Sequence, residues 1–60
     1  MRTLEALRKK RGLTRYALAK RAGISRVYVR KLEEGRSSPT IGMLRRLATA
    51  LGVPVTKLLH

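Results

Sequence analysis

The sequence predicts an all-α protein built as a compact five-helix bundle, and three observations lead to this fold class. No stretch alternates β-branched or aromatic residues with polar ones, and no Asn-Gly hairpin turn is present, so strands are not expected. Serine or threonine precedes the apolar runs, where it can cap a helix, and glycine follows them, where a helix can end. The apolar residues within these runs recur at helical spacing.

Each of the first four predicted helices follows a hydroxyl side chain that can accept a hydrogen bond from a free N–H of its first turn. The expected capping residues are, in order, Thr3, Thr14, Ser25 and Thr40. The glycines expected to end these helices are Gly12, Gly23, Gly35 and Gly52. Within these limits, the second helix is expected over Arg15–Arg21 and the third over Arg26–Glu33.

The fourth predicted helix has one apolar face, which is expected to be buried. Its members are Ile41, Leu44, Leu47, Ala48 and Leu51. A fifth, short helix is expected over Val55–Leu59, after Pro54. No repeat, linker or low-complexity tract divides the chain, and 60 residues leave room for one hydrophobic core. Residues 1–60 are therefore expected to form a single domain.

The charge of the chain favours a polyanionic partner. Fifteen Lys and Arg residues stand against three acidic residues, which gives a net charge of +12. Such a charge makes nucleic acid the first candidate partner and an anionic membrane surface the second. Glycine and proline interrupt any continuous apolar stripe, and Trp and Phe are absent. A long amphipathic helix on a membrane is therefore disfavoured.

Few side chains in this sequence could perform catalysis or bind a metal. Cys and Asp are absent, only three Glu are present, and the single histidine is the terminal His60. Acid–base and nucleophilic catalysis need converging titratable groups, and metal sites need clustered ligands. We therefore expect no enzymatic activity and no cofactor. The sequence also has no ligand-binding domain, so no small-molecule effector is expected. Neither a signal peptide nor a membrane-spanning run is visible, so a cytoplasmic, nucleoid-associated protein is expected.

The window Arg15–Glu33 satisfies the constraints of a helix-turn-helix. The two helices cross closely, which requires a small residue, and the short turn requires a residue that tolerates a left-handed conformation. Apolar residues must also join both helices to the core. Suitable residue types fill the seven constrained positions, which are Leu18, Ala19, Ala22, Gly23, Ile24, Val29 and Leu32. Ala19 would be the crossing residue, Gly23 the turn residue and Ile24 a buried plug. The pattern predicts sequence-specific DNA binding, with the second of these helices in the major groove.

Short motifs along nearly the whole chain, from Leu4 to Leu59, carry a family resemblance. They are Leu4-x-x-Leu7-Arg8, Gly12-Leu13-Thr14, Leu18-Ala19, Gly23-Ile24-Ser25, Leu32-Glu33-x-Gly35, Pro39-Thr40 and Leu47-Ala48-x-x-Leu51-Gly52-Val53. With them the chain resembles the Cro and phage-repressor type of helix-turn-helix domain, also called the xenobiotic-response-element family. The resemblance implies a lambda-repressor-like bundle and a transcriptional regulator, more often a repressor, bound to double-stranded DNA. It also implies a homodimer on a palindromic operator, with half-sites about 34 Å apart.

The candidate base-reading residues lie on the third helix. Because Val29 and Leu32 must face the core, the opposite side carries Arg26, Val27, Arg30 and Lys31. The resemblance implies that Arg26, Val27 and Lys31 reach base edges. Arg30, on the same exposed face, is expected either to read a base or to hold a phosphate. Arg and Lys can bond to O6 and N7 of guanine, and Val27 can contact a thymine methyl group. The alternative is that these residues only solvate an exposed helix face.

Phosphate contacts are expected from residues that flank the groove. Arg15 occupies a position where the family usually has Gln, at a helix N-terminus whose free N–H groups and dipole favour an anion. In the family that Gln both binds phosphate and helps to position the recognition helix. Arg can bind the phosphate, and whether it also positions the helix stays open at the level of the sequence. The further candidates are Thr14, Tyr16, Tyr28, Arg36, Ser37 and Ser38. For Tyr28 the alternative is packing of its ring against the second helix. The resemblance also implies a structural ion pair between Arg8 and Glu33 that fixes the third helix.

Two questions stay open at the level of the sequence. The apolar C-terminal residues Val55, Leu58 and Leu59 are expected either to form dimer contacts or to close the core. The same fold also serves other purposes. An antitoxin would have a toxin as its tight partner, and a nonspecific nucleoid protein would bind all DNA sequences with nearly equal affinity.

Overall fold

Four α-helices and one 3-10 turn form the computed structural model, which describes residues 1–59. They are α1 (Arg2–Lys10), α2 (Arg15–Ala22), α3 (Arg26–Glu33), α4 (Ile41–Leu51) and the 3-10 turn Val55–Leu58. No strand occurs among these 59 residues, in agreement with the all-α prediction. The helix α2 packs against both α3 and α4, and the 3-10 turn packs against α4 and α1. His60 lies outside the described residues.

Hydroxyl side chains cap three of the helices as predicted. Oγ1 of Thr14 accepts a hydrogen bond from the backbone N–H of Ala17 at 3.0 Å, at the start of α2. Ser25 and Thr40 accept equivalent bonds at the starts of α3 and α4, at 3.0 and 3.1 Å. Each cap satisfies an N–H that has no partner within its helix, and replacing such a residue by Ala typically costs about 1 kcal/mol.

The prediction that Thr3 caps the first helix is wrong. The helix α1 begins at Arg2, with Met1 as its N-cap residue and no side-chain cap. Thr3 therefore lies inside the helix, where its backbone cannot adopt the extended conformation of a capping residue. The amino group of Met1 instead donates hydrogen bonds to the backbone oxygens of Leu32 and Glu33, at the end of α3.

The predicted fifth helix is a single 3-10 turn, so the five-helix count is not confirmed. Pro54 precedes it, and its backbone bonds join Lys57 to Pro54 and Leu59 to Thr56, which are i to i+3 pairs. Such bonds are typical of short helical pieces. Leu58 is buried in the core, Val55 packs partly against it, and Leu59 remains exposed. Two of the three apolar C-terminal residues therefore help to close the core.

The turn between α2 and α3 has the predicted geometry, with small differences. The helix α2 ends at Ala22, one residue later than predicted, and Gly23 adopts a left-handed conformation with φ of 71°. Ala19 is buried where the two helices meet, and the N–H of Ile24 donates to its oxygen at 2.9 Å. Ile24 itself is only partly buried against the core, so it covers the core edge and does not form a buried plug.

The core takes side chains from all four helices. Its fully buried members are Leu4, Leu18, Val29, Leu32 and Leu47. The apolar face of α4 is buried from Leu44 to Leu51, where α2 and the 3-10 turn pack against it. Ile41 is 60% exposed, which contradicts its predicted burial. As the first residue of α4, it lies beyond the buried part of that face.

Candidate nucleic-acid interface

The outer face of α3 carries the four candidate base-reading residues. Val29, Leu32 and Glu33 anchor the inner face of this helix. The exposed residues opposite them are Arg26, Val27, Arg30 and Lys31, and the side chain of Val27 is 52% exposed. The inner anchors therefore leave three cations and one apolar side chain available on a single surface.

A depression of about 640 Å³ lies between this face and the N-terminal part of α2. The residues that line it are Arg8, Thr14, Arg15, Tyr16, Arg26, Val27 and Arg30. Four of them are arginines and none is acidic, so the depression presents positive charge beside an aromatic ring and an aliphatic side chain. It brings together three residues expected to contact phosphates, Thr14, Arg15 and Tyr16, with three of the four expected to read bases.

Glu33 joins three helices through two arginines. Its Oε2 accepts a hydrogen bond from Nε of Arg8 at 2.6 Å, and Nη2 of Arg8 approaches Oε1 at 3.3 Å. Nε of Arg15 donates to the same Oε1 at 2.8 Å. The side chain of Glu33 is 1% exposed, so both carboxylate oxygens are occupied within the protein. This cluster ties α1 and α2 to the C-terminal turn of α3.

The surroundings of Glu33 determine its charge. Burial raises the pKa of this carboxyl, but the hydrogen bonds and charges of Arg8 and Arg15 outweigh burial and bring the pKa below its ordinary value. The hydrogen bond to Glu33 in turn raises the pKa of Arg15. Glu33 is therefore ionised at neutral pH, and the cluster carries two cations around one anion.

The bond between Arg15 and Glu33 is a feature that the sequence reasoning missed. Arg15 lies at the N-terminus of α2, where a phosphate contact is expected, and its side chain remains 37% exposed. Its Nε is occupied by Glu33, and its Nη2 lies 3.8 Å from Glu5. The structure therefore adds a contact to the last residue of α3 at a residue predicted to bind phosphate, whose part in positioning the third helix the sequence left open. No local signal in the sequence indicates this bond, because the two residues are 18 positions apart and meet only when α2 packs against α3.

The two tyrosines have different environments. Tyr16 is 55% exposed, and Cζ of Arg26 lies 5.4 Å from the centroid of its ring. This distance is within the range of a cation–π interaction. Tyr28 is partly buried and packs against the core, which favours the packing alternative over a phosphate contact.

The remaining candidates lie around the loop that connects α3 to α4. Arg36 and Ser38 are exposed, and Ser37 is partly buried. Nη1 of Arg36 lies 3.6 Å from Glu34, in an exposed ion pair that is expected to be weak. None of these three residues lines the depression between α2 and α3, so they form a separate flank of the candidate surface.

A second basic depression, of about 380 Å³, lies at the opposite end of α2. Its cationic lining residues are Lys20, Arg21, Arg45 and Arg46. The sequence reasoning did not identify this group, because α2 and α4 meet only in the folded chain. Separately, none of the helices within residues 1–59 is long and apolar enough to cross a membrane.

Comparisons with known proteins give consistent results. Residues 4–58 match the family model described as Helix-turn-helix. An immunity repressor protein of Bacillus phage phi105 is 40% identical over 53 residues, which are 88% of this chain and 37% of that protein. The uncharacterized HTH-type transcriptional regulator y4dJ of Sinorhizobium fredii is 47% identical over 47 residues, which are 78% of this chain and 61% of that protein. The chain thus spans less than two thirds of either relative.

A solved structure shares the architecture. The crystal structure of the restriction-modification controller protein C.AhdI from Aeromonas hydrophila matches with a TM-score of 0.93 and 33% sequence identity. The match covers 95% of this chain and 86% of that one. The arrangement of helices is therefore similar over nearly the whole chain.

Proposed function

Because the chain belongs to the Cro/C1-type helix-turn-helix family, we propose that it is a sequence-specific regulator of transcription that reads double-stranded DNA with α3. The observation that carries this proposal is the outer face of α3, where Arg26, Val27, Arg30 and Lys31 are exposed together. An α-helix with its side chains is about 10–12 Å across, and the major groove is about 12 Å wide. The face therefore has both the size and the chemistry for base contacts.

Base recognition is assigned to the cations and to Val27. Arg26 and Lys31 donate to O6 and N7 of guanine, and Val27 contacts a thymine methyl group. Arg30 lines the depression toward α2, where it either reads a base or binds a phosphate. These contacts would give the protein different affinities for different sequences.

Phosphate binding is assigned to both flanks of α3. On one side, Arg15, Thr14 and Tyr16 lie at the N-terminus of α2, whose dipole favours an anion. On the other side, Arg36, Ser37 and Ser38 lie in the loop after α3. The net charge of +12 supports strong phosphate binding that depends on salt concentration. No catalytic role is proposed for any of these residues.

The protein is proposed to act as a repressor that binds a palindromic operator as a homodimer. The similarity to a phage immunity repressor supports the first part of this proposal. A net charge of +12 opposes self-association of free chains, whereas DNA phosphates would neutralise that repulsion, so the dimer is expected at least on DNA. Leu59 is the C-terminal apolar residue most accessible for a dimer contact.

Selection of bound duplexes from a random DNA library tests this function. A palindromic consensus with half-sites one helical turn apart is the expected result. A consensus without symmetry would remove the dimer but retain sequence recognition. Equal recovery of all sequences would instead favour a nonspecific nucleoid protein, and a stable complex with a co-expressed toxin would favour an antitoxin. A reporter gene placed behind the selected site then distinguishes repression from activation.

A further inference from the structure

From the contact between Tyr16 and Arg26, we infer that Tyr16 is a specificity-determining residue that positions Arg26 for a guanine. Tyr16 is the second residue of α2, and Arg26 is the first residue of α3. The tight turn through Gly23 brings them together, with Cζ of Arg26 5.4 Å from the ring centroid. This inference rests on the proposed function and assigns to Tyr16 a role distinct from phosphate binding.

The ring restrains an arginine that is otherwise free of charged partners. None of the ion pairs among residues 1–59 includes Arg26. An exposed arginine without a partner samples many rotamers, and ordering it on DNA costs conformational entropy. Attraction of the guanidinium to the ring limits these rotamers before DNA is bound, and this preorganisation favours binding.

The ring also leaves the hydrogen-bonding capacity of Arg26 unused. A guanidinium has five N–H donors, and attraction to the face of an aromatic ring consumes none of them. The contrast with Arg15 is direct, because Glu33 occupies Nε of Arg15 and offsets its charge. Arg26 therefore keeps both its donors and its charge for the two acceptors of a guanine, O6 and N7.

Restraint by the ring affects specificity more than total affinity. Bidentate recognition of guanine requires one orientation of the guanidinium, whereas a phosphate accepts a cation from many directions. Without the ring, Arg26 can exchange its base contact for a neighbouring phosphate. Loss of the ring should therefore lower the ratio of the affinity for the selected site to that for random DNA, whereas loss of a phosphate contact of Tyr16 would weaken both duplexes alike and leave this ratio unchanged.

Binding measurements on four variants test this inference. They are Tyr16→Phe, Tyr16→Leu, Arg26→Ala and the double variant Tyr16→Leu/Arg26→Ala. Each is titrated with the duplex selected by the wild-type protein and with a random duplex of equal length, and the ratio of the two Kd values is the readout. Thermal unfolding of each variant verifies that it folds. Substitutions of Tyr16 should preserve folding, because its side chain is exposed.

The expected results separate the ring from the hydroxyl group. Tyr16→Leu should lower the preference for the selected site about 2- to 5-fold, the size of an exposed cation–π contact. Tyr16→Phe should keep the wild-type preference, because it retains the ring. Arg26→Ala should lower the preference by about 5-fold or more. Adding Tyr16→Leu to Arg26→Ala should cause no further loss, because the ring acts through Arg26.

Three results would overturn the inference. Tyr16→Phe could lower the preference as much as Tyr16→Leu, which would assign the effect to the hydroxyl group. Tyr16→Leu could lower the preference further when Arg26 is already alanine. Finally, Tyr16→Leu could leave a large wild-type preference unchanged, with or without equal weakening of both duplexes, and this result overturns the inference alone. A wild-type preference near one would instead overturn the proposed function together with it.

Discussion

Nε of Arg8 lies 2.6 Å from Oε2 of Glu33, and this ion pair joins α1 to the last turn of α3. Both side chains are almost removed from solvent. Removing one member of a buried pair leaves the other charge without compensation, which is usually more costly than the pair itself is stabilising. We therefore expect Glu33 to hold α3 in position, although it lies at the end of a helix whose outer face is basic.

Neutralising Glu33 should destabilise the fold strongly. Glu33→Gln should lower the free energy of unfolding by about 3 kcal/mol, because Arg8 would remain buried beside a neutral amide. Urea unfolding followed by circular dichroism measures this change. Glu34→Gln is the matched control, since it makes the same substitution at an exposed neighbour and should alter stability by less than about 0.5 kcal/mol. Similar losses in the two variants would contradict a structural role for Glu33.

Stability should decrease in acid, in part because Glu33 titrates. Its pKa is lower in the folded protein than in the unfolded chain, so the unfolded chain binds the proton more readily. The stabilisation is complete above the unfolded pKa of about 4.3 and decreases as the pH falls toward the lower, folded pKa. Urea midpoints measured from pH 6 down to pH 3 should follow this curve.

The variant Arg15→Gln tests the origin of this acid sensitivity. It removes one of the two arginines that lower the pKa of Glu33, so stability should depend less steeply on pH below the unfolded pKa. Lys10→Gln removes the same charge from an exposed residue that takes part in no ion pair among residues 1–59. It should retain the wild-type dependence. Identical curves for both variants would show that Arg15 does not control the titration.

The turn between α2 and α3 should not tolerate a side chain at Gly23. Its φ is +71°, and an added Cβ would lie 2.8 Å from Nη2 of Arg46. The flexible arginine can move aside, so backbone strain should dominate, and Gly23→Ala should cost about 1–2 kcal/mol. Gly42→Ala, inside α4 and with its nearest other atom at 3.9 Å, should instead stabilise by about 0.5–1 kcal/mol. Thermal unfolding of the two variants measures both changes in stability. Changes of the same sign would contradict the prediction.

Lys31 should contribute to the choice of sequence. Lys31→Ala should weaken the selected site by about 1–3 kcal/mol and affect random DNA much less, because a base contact is lost. Fluorescence anisotropy titrations on both duplexes measure the difference. Arg45→Ala, which removes an exposed cation from α4, is a control with the same change of charge. Equal losses on the two duplexes would reassign Lys31 to phosphate binding.

Arg15 should contribute to affinity without regard to sequence. Arg15→Ala should weaken binding to the selected and random duplexes alike, and it should reduce the slope of log K against log salt by about 1. The contact with Glu33 leaves part of its guanidinium exposed for this role. Titrations at four salt concentrations give the slope. An unchanged slope would remove Arg15 from the phosphate contacts and leave only its structural bond.

Several features were predictable because their signals are local. The caps at Thr14, Ser25 and Thr40 each depend on a bond to a residue three positions ahead. The left-handed turn at Gly23 depends on the conformation of one residue. The wrong prediction at Thr3 is also a matter of local structure. The helix begins at Arg2, with Met1 as its N-cap, and therefore already includes Thr3, although threonine has the chemistry of a cap.

The predictions that failed depended on what packs against each residue. Ile41 belongs to the helical spacing of α4, but it lies beyond the part of that face that α2 and the 3-10 turn cover. The segment after Pro54 is apolar enough for a helix, yet Leu58 is the one residue of the 3-10 turn that is buried in the core. Helical periodicity identifies the apolar face of a helix, but it does not show how much of that face other elements bury.

By itself, the sequence determined that the chain is helical, that Gly23 turns between two short helices and that the outer face of α3 is basic. Only the tertiary structure decided that Arg15 bonds to Glu33, 18 residues away, and that the ring of Tyr16 faces Arg26. The physical reason is the range of the interactions involved. Capping and periodicity act within one turn of a helix, whereas these contacts exist only after α2 and α3 have packed together.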